Sequence, residues 1–184
     1  MKQPTSIFND VVGPIMTGPS SSHTAGPCRI GLIGYQLCLG IPKTIRISFD
    51  KSGSFASSYN LQGTDRGLVG GLLGVYPEDN RLHDILKEAK NKDVNVSFHI
   101  TEFETDHPNT AKISLLTHNG EQIKLIGQST GEGIFKIVDI NGFSVQIMRD
   151  YYELIAMRKI GCEIKVLQLL QGVDIQVNYT SVVK

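Results

Sequence analysis

Hydrophobic positions change their period along this chain. Ile30, Ile33, Gly34, Leu37 and Cys38 recur at helical spacing behind Pro27, and Gly40 with Pro42 ends the run, so a helix is predicted over residues 25–39. Ile45, Ile47 and Phe49 then alternate with Arg46 and Ser48, the pattern of a half-buried strand. Leu68, Leu72 and Leu73 predict a short glycine-rich helix after Asp65, and Leu82, Ile85, Leu86 and Ala89 predict a clearer amphipathic one. From there the period is two. Val94, Val96, Phe98 and Ile100 alternate strictly, Ile113 and Leu115 face Ile123 and Leu125 across Asn119-Gly120, and residues 134–140 face Phe143, Val145 and Ile147 across Asn141-Gly142. Helices followed by hairpins argue for an α/β (α+β) fold in which helices pack on a mixed, largely antiparallel sheet.

The chain ends in a βαβ-like tail: a strand-like stretch over 153–157, a helical stripe at Ile164, Leu167 and Leu170, and a strand over 173–179. A weakly marked linker near 148–150 divides the sequence into a main domain, 1–148, and this tail, 149–184. There is no internal repeat and no low-complexity segment.

Composition narrows the function classes. Eighteen basic and eighteen acidic residues cancel among 184, leaving no positive field for nucleic acid or an anionic membrane. No apolar run approaches the roughly 20 residues that span a bilayer. The opening MKQPTSIFND has no apolar signal-peptide core, and a cytoplasmic location is expected. Cys28, Cys38 and Cys162 lie far apart, in none of the close spacings that hold zinc or iron-sulfur clusters, so no metal is expected on this chain alone. Cys28 and Cys38 read instead as small hydrophobes in an apolar stretch.

The chemistry concentrates in Gly18-Pro19-Ser20-Ser21-Ser22-His23-Thr24-Ala25-Gly26-Pro27, a hydroxyl-rich turn leading into the first helix. Backbone N–H groups, the positive end of the helix dipole and several hydroxyls converge there, a setting that stabilises a carboxylate or phosphate. His23 adds a titratable group. The plainer alternative is that Ser22 or Thr24 caps the helix and His23 is a solvated loop residue.

This run, with two further blocks, resembles the β subunit of the two-chain, oxygen-sensitive, iron-sulfur L-serine dehydratases. The blocks are Gly53-Ser54-Phe55-Ala56 leading through Gly63-Thr64-Asp65 to Gly71-Leu72-Leu73-Gly74, and His107-Pro108-Asn109-Thr110-Ala111-Lys112-Ile113. Gly131 to Gly133 and Asn141-Gly142-Phe143 fall in the same register, so the likeness covers nearly all of residues 6–147. It implies a lyase converting L-serine to pyruvate and ammonia, acting with a [4Fe-4S] cluster ligated by a separate α subunit. It implies catalytic roles for His23, Asp65 and His107, and substrate binding by Ser20, Ser21, Ser22, Thr24, Gln62, Thr64 and Asn109. Under it, His23 transfers a proton or positions substrate, the Ser and Thr hydroxyls donate to the carboxylate, and Asp65 orients an imidazole or the ammonium. Asp65 as a helix cap and Asn109 in an Asx turn are the structural alternatives. His83, His99 and His118 read as solvated. L-serine and the α subunit are the expected partners, a homo-oligomer is allowed, and neither nucleic acid nor membrane is expected.

Two departures from the family pattern bear on mechanism. The family's G-H-G-T-D reads Gln62-Gly63-Thr64-Asp65 here, and an amide cannot shuttle a proton where the family histidine could. The tail has length for only half of the ACT module that many family β chains carry. A competing function is therefore a non-catalytic module of the same fold that binds an amino acid or small anion, akin to the allosteric substrate-binding domain of some phosphoglycerate dehydrogenases.

Overall fold

A computed structural model of the chain describes residues 13–148 and Ile155. The proposed linker and the ACT-like tail fall outside the described residues, as does Cys162.

A π-helical turn, Ser21–Ala25, leads without a break into α1, Gly26–Leu37. The turn starts where Ser20, in extended backbone, accepts the His23 N–H with its side chain, so Ser20 is the cap, in place of Ser22 or Thr24. The helical segment therefore begins one turn before the predicted residue 25. It stops at Leu37 because Leu39 (φ 53°) and Gly40 (φ 145°) both turn left-handed.

Strand β1, Thr44–Asp50, is followed by α2, Ser54–Ser58, and α3, Thr64–Leu72. The amphipathic stretch after it divides into a 3₁₀ turn, Asn80–Asp84, and α4, Ile85–Asn91. Then come β2, Asn95–Thr101, β3, Thr110–Leu116, β4, Gln122–Gly131, β5, Ile134–Ile140, and β6, Phe143–Ile147. The six strands form one sheet in the order β2-β1-β3-β4-β5-β6. Only β1 and β2 run parallel, joined by a crossover that carries α2, α3 and α4; the remaining pairs are antiparallel. The expected mixed, largely antiparallel sheet with packed helices is thus the observed fold. The second hairpin turns on Asn141 (φ 54°) and Gly142 (φ 85°), the left-handed pair a tight hairpin demands.

Alternation along β1, β3 and β4 buries Ile45, Ile47, Phe49, Ile113, Leu115, Ile123 and Leu125 against Ile30, Leu68 and Leu72 of the helices. The alternation in β2 has a different outcome. As the edge strand it leaves Ile100 55% exposed, with Val96 and Phe98 only half-buried. Helices α1 and α3 approach backbone to backbone: a Cβ on Gly71 would overlap the carbonyl oxygen of Cys28, and one on Gly31 would overlap that of Leu68. Among the described residues no helix is long and apolar enough to cross a membrane.

Candidate active site

The Ser/His turn places His23 at the front of α1, only 9% exposed. Its Nδ1 lies 3.0 Å from Ser22 Oγ and 3.4 Å from Ser20 Oγ, and Nε2 lies 3.2 Å from Ser54 Oγ. The imidazole meets the Phe55 ring edge to face at 5.4 Å. Burial among these neutral partners pushes the His23 pKa below its usual 6.5, which leaves a neutral imidazole able to accept a proton at physiological pH. His23 is therefore a buried, hydroxyl-bonded group, not a solvated loop residue.

Thr24 turns the other way. Its Oγ1 donates to the Gln62 carbonyl at 2.8 Å, tying the Ser/His turn to the start of α3. Gly63, which precedes α3 with φ 80°, must lack a side chain, since a Cβ there would stand 2.8 Å from Thr24 Oγ1. Gln62 meets the turn through this carbonyl, while the residue itself is exposed. Thr64 and Asp65 open α3 as expected. Thr64 is fully buried, and its hydroxyl has no hydrogen-bond partner among the described residues. Asp65, 7% exposed, accepts the Arg66 N–H at 2.7 Å, yet burial outweighs this bond and the nearby Arg66 charge and raises its pKa above 3.8. Among the described residues no hydrogen bond links Asp65 to either imidazole of interest; its observed contact is the helix-start one.

The third block forms the loop before β3. His107 is half-buried, and its Nδ1 accepts the Asn109 N–H at 3.2 Å, so Nε2 is the nitrogen left to carry a proton. Asn109 directs its amide N–H₂ toward Ser129 O at 3.5 Å, while its buried Oδ1 has no partner among the described residues. An orphaned acceptor of this kind costs about 1–3 kcal/mol unless a ligand donor reaches it.

Two serines bring this loop to the Ser/His turn. The Ser54 N–H donates to Pro108 O at 2.9 Å while its hydroxyl reaches His23. Ser129, fully buried on β4, donates its hydroxyl to Ser22 O at 2.7 Å and its N–H to Asn109 O at 3.0 Å. Gly26 is bare for the same reason, since a Cβ there would overlap the Ser129 hydroxyl. His23, Thr24 and Asn109 thus belong to one contiguous network, which also reaches His107 through Asn109, while the Thr64 hydroxyl makes no hydrogen bond into it among the described residues. Ser54 and Ser129 were missed by sequence reasoning. Ser54 carried a signal as a member of the Gly53-Ser54-Phe55-Ala56 block, whereas Ser129 lies in an ordinary polar strand segment and carried none. His83, His99 and His118 are exposed, as expected.

Neither Cys28 nor Cys38 is suited to ligate an iron-sulfur cluster. Cys28 is fully buried, donates its thiol to Val75 O at 3.2 Å, and is pushed up to about 12 by burial with the Glu78 charge adding to it. Burial likewise raises Cys38 to about 11. Both are protonated packing residues, and among the described residues no group of three or more His, Cys, Asp or Glu side chains is placed to hold a metal ion.

Residues 8–136 match the serine dehydratase beta chain family. The chain is 41% identical over 143 residues to the L-serine dehydratase beta chain of Peptoniphilus asaccharolyticus, covering 77% of this chain and 64% of that one. It is 36% identical over 181 residues to the probable L-serine dehydratase beta chain of Bacillus subtilis, covering 97% of this chain and 80% of that relative. The Ser/His turn, the Gly53 block and the His107 loop all lie within the matched span, and the chain belongs to the serine dehydratase beta chain family.

Proposed function

We propose that this chain is the β subunit of an iron-sulfur L-serine dehydratase, converting L-serine to pyruvate and ammonia together with a cluster-carrying α subunit. The observation that carries the reading is a neutral, buried imidazole at His23, held by hydroxyls beside a loop whose Asn109 oxygen lacks a donor. A neutral imidazole can take the α proton of an amino acid, and the buried amide oxygen can accept from its ammonium group. On this reading the hydroxyls of Ser20, Ser21 and Ser22 would donate to the substrate carboxylate, with His107 Nε2–H as a further donor. Asp65 supports the start of α3. The partner's cluster would supply the Lewis acid that assists departure of the β-hydroxyl.

A second reading rests on Gln62, which stands where the family pattern has a histidine: the chain would be a non-catalytic module that binds an amino acid or small anion. Because Gln62 is exposed, Gln62→His should change stability by no more than about 0.5 kcal/mol, making the substitution a clean probe. The deciding experiment is anaerobic co-expression with a candidate α chain and measurement of pyruvate from L-serine. Pyruvate from the native pair, lost at least about 100-fold in His23→Ala, supports the lyase. Pyruvate only after Gln62→His supports the non-catalytic module.

A further inference from the structure

We propose that the outer edge of β2 pairs antiparallel with the same strand of a second copy of this chain, about a two-fold axis at Phe98, joining two six-stranded sheets into one. The inference is independent of the lyase reading. It starts from the direction of the backbone groups. The Asn95 N–H donates to Lys43 O at 3.0 Å and the Thr101 carbonyl accepts the Lys51 N–H at 2.9 Å, so the odd-numbered residues of β2 spend their groups on the β1 side. The register between the two strands runs from Thr44 opposite Asn95 to Asp50 opposite Thr101 without a shift. Val96, Phe98 and Ile100 therefore turn their N–H and C=O groups outward, where no strand adjoins them among the described residues.

Such an edge is a template for another strand unless charge, proline, a bulge or brevity blunts it. At the other end of the sheet β6 has five residues and its register with β5 shifts. β2 has seven, Asn95-Val96-Ser97-Phe98-His99-Ile100-Thr101, with no Lys, Arg, Asp, Glu, Pro or Gly. What selects a second copy as the occupant is the order of those residues. Outward from Phe98 in either direction the strand reads polar, apolar, polar: Ser97 or His99, then Val96 or Ile100, then Asn95 or Thr101. An antiparallel copy centred there sets Phe98 against Phe98, Val96 against Ile100 and Ser97 against His99, so like meets like on both faces and no two like charges meet. A one-residue slip would carry the second copy's apolar side chains to the wrong face. On the helix side the pair covers the apolar groove that Leu86, Ala89, Val94, Val96 and Phe98 line between α4 and β2. Two seven-residue strands make a small interface, under roughly 1,200 Å² in total, so association depends on concentration.

The test is analytical ultracentrifugation of the full chain over a wide range of concentration, where the sedimenting mass should rise from one chain to two. Ile100→Lys should raise the dimer dissociation constant about tenfold or more, with the melting temperature of the dilute chain within a few degrees. Register is read separately. Ser97 of one copy and His99 of the other form a non-hydrogen-bonded pair with Cα atoms roughly 4.5 Å apart, within reach of a disulfide. Under mild oxidation an equimolar mixture of Ser97→Cys and His99→Cys chains should cross-link several-fold more than either variant alone, the native cysteines being common to all three samples. A chain that stays single at every concentration overturns the proposal, as does a dimer indifferent to Ile100→Lys or a mixture that cross-links no better than its components. Loss of α-chain binding in Ile100→Lys, with the native chain alone remaining a monomer, would give this edge to the α subunit and overturn it equally.

Discussion

His23 and Asp65 are both buried, with opposite consequences for pH dependence. The folded pKa of His23 is depressed, so the unfolded chain gains a proton first on acidification; this contribution to stability is present above about pH 6.5 and declines as the pH falls below it. If His23 takes the substrate proton, the acid limb of kcat/KM in the assembled enzyme should lie below pH 6.5, and a limb above that value would exclude His23 as the base. The folded pKa of Asp65 is raised, so its charge opposes folding at neutral pH, and the penalty is relieved as the pH falls toward the carboxylate range. Asp65→Asn should therefore melt at a higher temperature than the native chain at pH 7, with the gap closing on acidification; a lower melting temperature at pH 7 would show that the Arg66 N–H bond matters more than the desolvation. At this scale the sequence marked the blocks that carry His23, His107 and Asn109, which the fold brings together, and it marked Thr64 and Asp65 as the start of a helix. It did not disclose their wiring. Ser54 reaches His23 across 31 positions and Ser129 reaches Ser22 across 107, and a serine has no periodic signature to foretell such a contact.

Among the elements, legibility followed periodicity. The runs behind α1, β1, β3 to β6 and α3 were long and regular enough to identify, because each buries one face against a common core. Helix α2 escaped notice: Ser54–Ser58 is too short to show a helical stripe, and only Phe55 within it is buried. In β2 the alternation was read correctly as strand but not as an edge, since burial on that strand depends on having a neighbour on each side. The small Gly31 and Gly34 suggest close approach along the first helix, and α1 against α3 is where it occurs. Gly71→Ala should destabilise the chain by about 1–3 kcal/mol, the usual cost of overpacking, and equilibrium urea unfolding would measure it. A loss below about 0.5 kcal/mol would mean that the two helices can slide apart without harm.

For the molecule as a whole, the exposed side of β2 is the feature most open to experiment. Among the described residues its outer edge has no neighbouring strand, and Ile100 on it is exposed. Ile100→Lys should lower concentration-dependent light scattering of the chain prepared without a partner while leaving its melting temperature within a few degrees, and undiminished scattering would place the sticky surface elsewhere. The parallel pairing of β1 with β2 has a kinetic corollary. Ser54, Gln62, Thr64 and Asp65 all lie in the crossover between those two strands, and such non-local pairing forms slowly because the intervening loop must close before the contact is rewarded. The contact between Ser54 and His23 should therefore form late in refolding, after the helices on either side of it.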